Sequence, residues 1–369
     1  GTRKGNDWPR AGSWLFITFV FCVIFSVRAT SGEDSPPAEN DTMSEYDKLE
    51  EIEYEIGYGM TLFVPKGSKL HSAQSLYQKV ELYETPHFGK VLVLDDCIQL
   101  TERDASSYNE MMAHVPMMEH ANPKRILVIG GGDGYVVNEI LKHESVAHID
   151  HVELDTAVID LSREHFKWGT AWDDPRCHLH ITDGAAFVRD AQDGYYDVII
   201  QDSSDPFVVE KNGSVTILPS QVLYTPEHFA QLLRILSPEG IFTFQAETYN
   251  IPSSLDGIVK WRQSSLDAGF TSARYGTISI SSYPTGQIGF YVCAKQHVTT
   301  EEGNIDKDKT QIESVQTRFE RFISETLHYH PRMQHSCFDL PLWVEKYIYG
   351  SDQCGEEQLD SRDVGVSDL

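Results

Sequence analysis

Basic residues are scarce in this chain. Against 56 Asp and Glu, the 369 residues hold only 30 Lys and Arg, a formal net charge of −26 with His neutral. That deficit argues against nonspecific binding to nucleic acid or to an anionic membrane surface, both of which need a basic footprint. It is compatible with a cationic ligand, and equally with solubility alone. Cysteine is sparse too. Cys22, Cys97, Cys177, Cys293, Cys337 and Cys354 include no CxxC pair, so no zinc or redox motif is present and a reduced interior is the default. Long apolar runs are missing save one, Trp14 to Val27, which is shorter than a comfortable transmembrane helix. With 40% apolar and 23% charged residues, disorder throughout, collagen and a multi-span membrane protein are excluded. The length allows two or three domains with a sizeable core.

The apolar run follows Arg3, Lys4 and Arg10 and precedes Val27-Arg28-Ala29, a small-residue cleavage pattern. Residues 1–29 therefore read as a signal or targeting-like segment, with a retained anchor as the alternative. Residues 30–48 are polar and acidic, contain Pro36-Pro37 and read as a linker. Asn40-Asp41-Thr42 and Asn212-Gly213-Ser214 match the glycosylation sequon, but such tripeptides arise often by chance.

Residues 49–120 are expected to form a small antiparallel β domain plus a helix. TLFVP, LYQKVELYET and GKVLVLDDCIQLT alternate apolar and polar residues between Pro- and Gly-containing turns. Ser106 to His120 reads as a helix whose Met111, Met112, Val115 and Met118 suit core packing. Over 121–300 the pattern changes to alternating strands and helices. RILVIG, HIDHVEL, HLHIT, YDVIIQD and GIFTFQAE are the strands, so the expectation is a parallel sheet with helices on both faces. Residues 301–349 are a C-terminal helical part, and 350–369 an acidic, loose tail.

Ligands of such sheets lie beyond the carboxyl ends of the strands. Four strand ends carry candidate residues. Gly130-Gly131-Gly132-Asp133-Gly134 follows the first strand and opens a helix, so backbone can approach a ligand closely there. Glu153, at the second strand end, is placed to accept from ribose hydroxyls. Asp183-Gly184 ends the third, where a carboxylate can accept from an adenine amino group. Together these describe a nucleoside site, the bland alternative being caps and turns. Asp133 would repel a ligand carboxylate and welcome an ammonium. At the fourth end, Asp202-Ser203-Ser204-Asp205-Pro206 sets two carboxylates three residues apart. Such a pair can hold and deprotonate an amine, whose neutral form costs roughly 4.6 kcal/mol at pH 7. Tyr77-Gln78, Ser107-Tyr108-Asn109, Gln245-Ala246-Glu247 and Ser282-Tyr283-Pro284 are singly no more than core or turn candidates.

These stretches, with ITDGAAFV, SSYPTGQIGF and HSCFDLPLW, resemble the spermidine synthase family of aminopropyltransferases, from about Met60 to Tyr349. The resemblance implies a Rossmann-like, methyltransferase-type domain preceded by a small antiparallel β domain, and a homodimer or homotetramer. It implies transfer of an aminopropyl group from decarboxylated S-adenosylmethionine to putrescine, giving spermidine and methylthioadenosine, with no metal or prosthetic group. By this resemblance Asp202 is the catalytic proton acceptor. Tyr108, Asp205, Gln245, Glu247 and Tyr283 hold the acceptor diamine. Gln78, Asn109, Gly130, Gly132, Asp133, Glu153, Asp183 and Gly184 hold the donor. The family is typically cytoplasmic, in tension with the apolar N-terminal segment.

Two departures stand out. Asn109 replaces the Gln or His usual after the tyrosine, with shorter reach. Val208 to Leu218 is inserted after Asp205-Pro206, where relatives run directly into a closing loop, and is expected to remodel that lid. Alternative readings are a spermine or thermospermine synthase using spermidine, a putrescine N-methyltransferase, and an inactive polyamine-binding relative.

Overall fold

The computed structural model describes residues 45–53, 57–209, 213–296, 315–320 and 325–350. The targeting-like segment 1–29, the linker up to residue 44 with its sequon, Asn212 of the second sequon, Cys22, Cys354, parts of the helical stretch 311–327 and the tail beyond Gly350 lie outside the described residues.

β1 (Tyr46–Glu53) and β2 (Tyr58–Pro65) pair as an antiparallel hairpin. β3 (Lys69–Gln74), β4 (Lys79–Thr85), β5 (Gly89–Leu94) and β6 (Cys97–Thr101) form a four-stranded antiparallel sheet in sequence order. This is the small β unit that the alternating pattern predicts. β1 takes up the last residues read as linker. α1 (Ala105–Glu119) follows, and its Met111, Met112, Val115 and Met118 are buried with Ile126, Val128 and Val198. The methionine stripe thus serves the core of the large sheet.

That sheet has seven strands in the order β14-β15-β13-β10-β7-β8-β9. In chain order they are β7 (Arg125–Gly130), β8 (His148–Glu153), β9 (Cys177–Ile181), β10 (Tyr196–Asp202), β13 (Leu236–Ala246), β14 (Ser272–Ser279) and β15 (Gln287–Ala294). β7 and β10 are central and buried on both faces, which is why RILVIG and YDVIIQD read as continuous apolar runs. α2 (Tyr135–Ile140), α3 (Thr156–His165), α4 (Gly184–Asp190), α5 (Pro226–Ile235) and α6 (Pro252–Ala268) connect the strands. One expectation is corrected: the sheet is not wholly parallel. β15 runs antiparallel to both β13 and β14. Only residues 280–286 join β14 to β15, too few for a parallel crossover, so β15 folds back and inserts between its neighbours.

α1 and α2 cover one face. α5 and α6 cover the other, where Phe229, Leu232, Ile258 and Trp261 meet Leu127, Ile199 and Phe244. Local signals agree with these helices. Thr225 caps α5 by accepting from the His228 amide, with Pro226 at its first position, and Gly269 at φ +110 ends α6. A helical stretch 315–320 (α7), α8 (Pro331–Ser336) and α9 (Leu342–Tyr349) complete the chain. Cys97, Cys177, Cys293 and Cys337 are free thiols.

β7 lies between β8 and β10, so the chain leaves β7 toward one side and β10 toward the other. Ligands of such sheets bind at a switch point of this kind. The glycine loop and the Asp202 segment meet there, Gly130 pairing with Asp202.

Candidate active site

The inserted residues form a hairpin, β11 (Phe207–Val209) with β12 (Val215–Ile217). It closes on itself. The Leu218 amide donates to the Pro206 carbonyl at 2.9 Å, and the Ser220 hydroxyl donates to the Asp205 carbonyl. Beyond the insertion, Pro219-Ser220 therefore resume the path that Asp205-Pro206 left.

Asp202 ends β10 directly opposite Gly130 of β7. Gly130 is at φ +80, and a Cβ there would lie 2.1 Å from the Asp202 carbonyl oxygen, so no other residue fits. Gly132 is less constrained: a Cβ there would press on the Glu153 carboxyl end at 2.9 Å and on Val158 at 3.1 Å, side chains that can shift. The loop is also held from below. Trp172 Nε1 can only donate, so it gives its proton to His151 Nδ1 at 2.7 Å. His151 Nε2 therefore carries the proton and donates to the Gly130 carbonyl at 2.7 Å. Burial pushes the His151 pKa down to about 4, which keeps the ring neutral and this tautomer fixed.

Three carboxyl groups lie at this switch point. Burial raises Asp133 to about 7, reinforced by the negative charge of Asp202 and opposed by the Tyr135 amide, which donates to its Oδ1 at 2.8 Å. Burial raises Glu153 to about 7, although its Oε1 accepts from the Asp155 and Leu154 amides at 2.9 and 2.7 Å. Burial raises Asp202 to about 6 against the opposing pull of Tyr108, whose hydroxyl donates to Oδ1 at 2.6 Å. Desolvated acids clustered in this way favour a cation as their partner.

Among the residues expected to hold an acceptor, Gln245 Nε2 donates to Asp205 Oδ1 at 3.0 Å, and the Tyr283 hydroxyl donates to Glu247 Oε2 at 2.7 Å. Tyr108, Asp202, Asp205, Gln245, Glu247 and Tyr283 thus fall into three hydrogen-bonded pairs. They come from α1, the Tyr283 loop and the ends of β10 and β13. An Asp with a pKa near 6 is ionised at neutral pH and can take a proton from an amine.

The residues expected to hold the donor divide. Gly130, Gly132, Asp133 and Glu153 lie together at and just beyond the carboxyl ends of β7 and β8. Gln78 sits at the β3–β4 turn and donates to Asp155 Oδ2 at 3.0 Å. Asp183 is exposed and caps α4, its Oδ1 accepting from the Ala186 amide at 2.6 Å. Gly184 is placed by packing, since a Cβ would lie 2.6 Å from the Ile129 side chain. Asn109 is buried and donates to its own helix at the Ala105 carbonyl, while its Oδ1 has no partner.

Several residues here escape the motif reading. Asp155, 3% exposed, caps α3 through the Ala157 amide and accepts from Ser75 at 2.6 Å, fastening the small sheet to the end of β8. Its position before TAVIDL is a helix-start signal, but nothing local points to Ser75. Tyr224 is buried with its hydroxyl 3.3 Å from Ser203. Glu110, fully buried, accepts from the Leu327, His328 and Tyr329 amides and holds the C-terminal segment against α1.

The Rossmann-like sheet, the glycine loop and the buried ionisable acid at its switch point fit an enzyme of the group-transferring class. Residues 105–302 match the spermine/spermidine synthase domain, and residues 50–102 match the spermidine synthase tetramerisation domain. The chain is 36% identical over 284 residues to spermidine synthase 2 of Arabidopsis thaliana, covering 76% of this chain and 78% of that one. It is 37% identical over 283 residues to spermidine synthase 1 of Pisum sativum, covering 76% and 79%. It is also 36% identical over 282 residues to spermine synthase of Arabidopsis thaliana, covering 76% and 73%. A solved spermidine synthase in complex with the transition state analogue AdoDATO superposes with TM-score 0.68 at 28% identity, covering 86% of this chain and 98% of that one. The chain belongs to the spermine/spermidine synthase family and is a polyamine aminopropyltransferase.

Proposed function

We propose that the chain is a spermidine synthase, moving the aminopropyl group of decarboxylated S-adenosylmethionine to putrescine. The amine nitrogen of putrescine attacks the carbon beside the sulfonium. The C–N bond forms as the C–S bond breaks, and methylthioadenosine leaves with the electron pair. The proton released from the nitrogen passes to Asp202.

The observation that carries this reading is the acid cluster of Asp202, Asp133 and Glu153 at one switch point. Charged, it is costly when empty and is relieved by two cationic substrates. Asp133 supports the decarboxylated donor, because its carboxylate would meet an ammonium where S-adenosylmethionine adds a carboxylate. Tyr108 orients Asp202 and keeps it ionised. The Asp205–Gln245 and Glu247–Tyr283 pairs offer acceptor oxygens to the two ends of a diamine. Asn109 contributes an unmet buried oxygen that a donor ammonium or hydroxyl could satisfy, in place of the longer side chain of relatives. The match of residues 50–102 to a tetramerisation domain supports a homo-oligomer.

Spermidine as acceptor is the competing reading, favoured by the comparable similarity to a spermine synthase. Incubating purified protein with decarboxylated S-adenosylmethionine and putrescine, cadaverine or spermidine separates the two. Spermidine formed from putrescine, with methylthioadenosine in equal amount, is the expected result. Turnover of spermidine alone overturns the acceptor assignment.

A further inference from the structure

We propose that Asp104 is a positioning residue for the acceptor amine, acting through Tyr283; this rests on the aminopropyl-transfer reading. Asp104 occupies the N-cap of α1, where an Asp side chain ordinarily accepts from an amide of the first turn. Here it makes no such bond. Both of its oxygens are spent elsewhere. Oδ2 accepts from the Ser281 hydroxyl at 2.6 Å and the Ser282 amide at 2.8 Å. Oδ1 accepts from the Thr101 hydroxyl at 2.6 Å and the Ser282 hydroxyl at 3.1 Å. A helix cap is forgone for a link across 177 and 178 residues of sequence.

What the link joins gives it meaning. One turn beyond Asp104 on α1 is Tyr108, bonded to Asp202. One residue beyond Ser282 is Tyr283, bonded to Glu247. A single carboxylate therefore sets the spacing between the two tyrosines that bracket the acceptor. The Tyr283 loop needs such an anchor. Thr285 is β-branched yet sits at φ +69, in the left-handed region, so the loop keeps its shape only where surrounding contacts over-determine it. The Asp104 carboxylate is engaged by Thr101, Ser281 and Ser282. Its effect is on where Tyr283 stands.

The test is a thermodynamic cycle of Asp104→Ala with Tyr283→Phe on the full chain, with steady-state kinetics in both substrates. Asp104→Ala should raise the acceptor KM by about ten- to a hundred-fold, the scale of a misplaced positioning contact, and move the donor KM by less than about two-fold. In the Tyr283→Phe background, Asp104→Ala should add little, because its route to the acceptor is already cut. If Asp104→Ala does not fold, the Ser281→Ala, Ser282→Ala pair, which keeps the carboxylate and the Ser282 amide, enters the same cycle with the same expectation. Additive effects, or donor and acceptor KM rising together, overturn the positioning role. Wild-type protein is run alongside: absence of aminopropyl transfer by the wild type refutes the functional reading itself, whatever Asp104 does.

Discussion

The hydroxyl of Tyr108 donates to Asp202 Oδ1 at 2.6 Å, tying the first helix of the chain to the acid that ends its central strand. A hydrogen bond to the ionised carboxylate favours that form and offsets part of the burial that lifts Asp202 to about 6. Tyr108→Phe removes this offset. The acid limb of the pH–rate profile should then move to higher pH than in wild type, measured as kcat/KM for the amine between pH 5 and 9. An unchanged or lowered limb contradicts the pairing.

Asp202→Asn keeps the shape and loses the base. The rate should fall by roughly two to four orders of magnitude, with donor affinity little changed. Single-turnover measurement with saturating donor reads this directly. A near-wild-type rate removes Asp202 from the proton-acceptor role.

Asp133 and Glu153 each have a folded-state pKa raised to about 7. The sign follows. A raised carboxyl pKa contributes stability that is present below the ordinary carboxylate range and is lost as pH climbs through about 7. The ligand-free protein should lose melting temperature on this account from about pH 4 to 7, and Asp133→Asn should recover part of it at pH 8 but not at pH 4. A cationic donor needs the ionised acids, so its affinity should strengthen as pH rises from 5.5 to 8 and level off above about 7, by calorimetry. Affinity that weakens over this range contradicts a cationic ligand at Asp133.

Gly130 and Gly213 have nearly the same backbone angle, φ +80 and +79, but different surroundings. A Cβ at Gly130 strikes the Asp202 backbone, whereas at Gly213 nothing lies within 4 Å. Gly213→Ala should cost only the backbone strain, about 1–2 kcal/mol. Gly130→Ala should cost clearly more and abolish donor binding. Thermal melts of the two variants side by side check this.

The β11–β12 hairpin is bounded by the Leu218–Pro206 bond, so its removal leaves chain ends already in contact. Deleting Val208 to Leu218 should preserve folding and donor affinity while shifting the acceptor KM. Unchanged acceptor kinetics would show that the insertion does not shape the lid.

Much of this fold is legible in the amino-acid order because buried parallel strands are continuous apolar runs. RILVIG and YDVIIQD coincide with β7 and β10 to the residue. The strand-end acids stand out for the same reason, as polar residues terminating apolar runs. What escapes notice is contact between segments far apart. The antiparallel insertion of β15 depends on a short connection whose partner strand is not named by its own pattern. The Ser75–Asp155 and Ser281–Asp104 bonds join polar loop residues with no periodicity to announce them. Asp183 shows the opposite case: its turn chemistry is visible in Asp-Gly, and the structure uses it as a cap.

The central claim is that the chain accepts a donor lacking the amino-acid carboxylate and transfers its aminopropyl group. One competition measures it. Wild-type protein is given S-adenosylmethionine and its decarboxylated form in equal concentration with putrescine, and products are separated by mass. Spermidine with methylthioadenosine, and no methylated diamine, is the predicted outcome. N-methylputrescine with S-adenosylhomocysteine, and no spermidine, would contradict it.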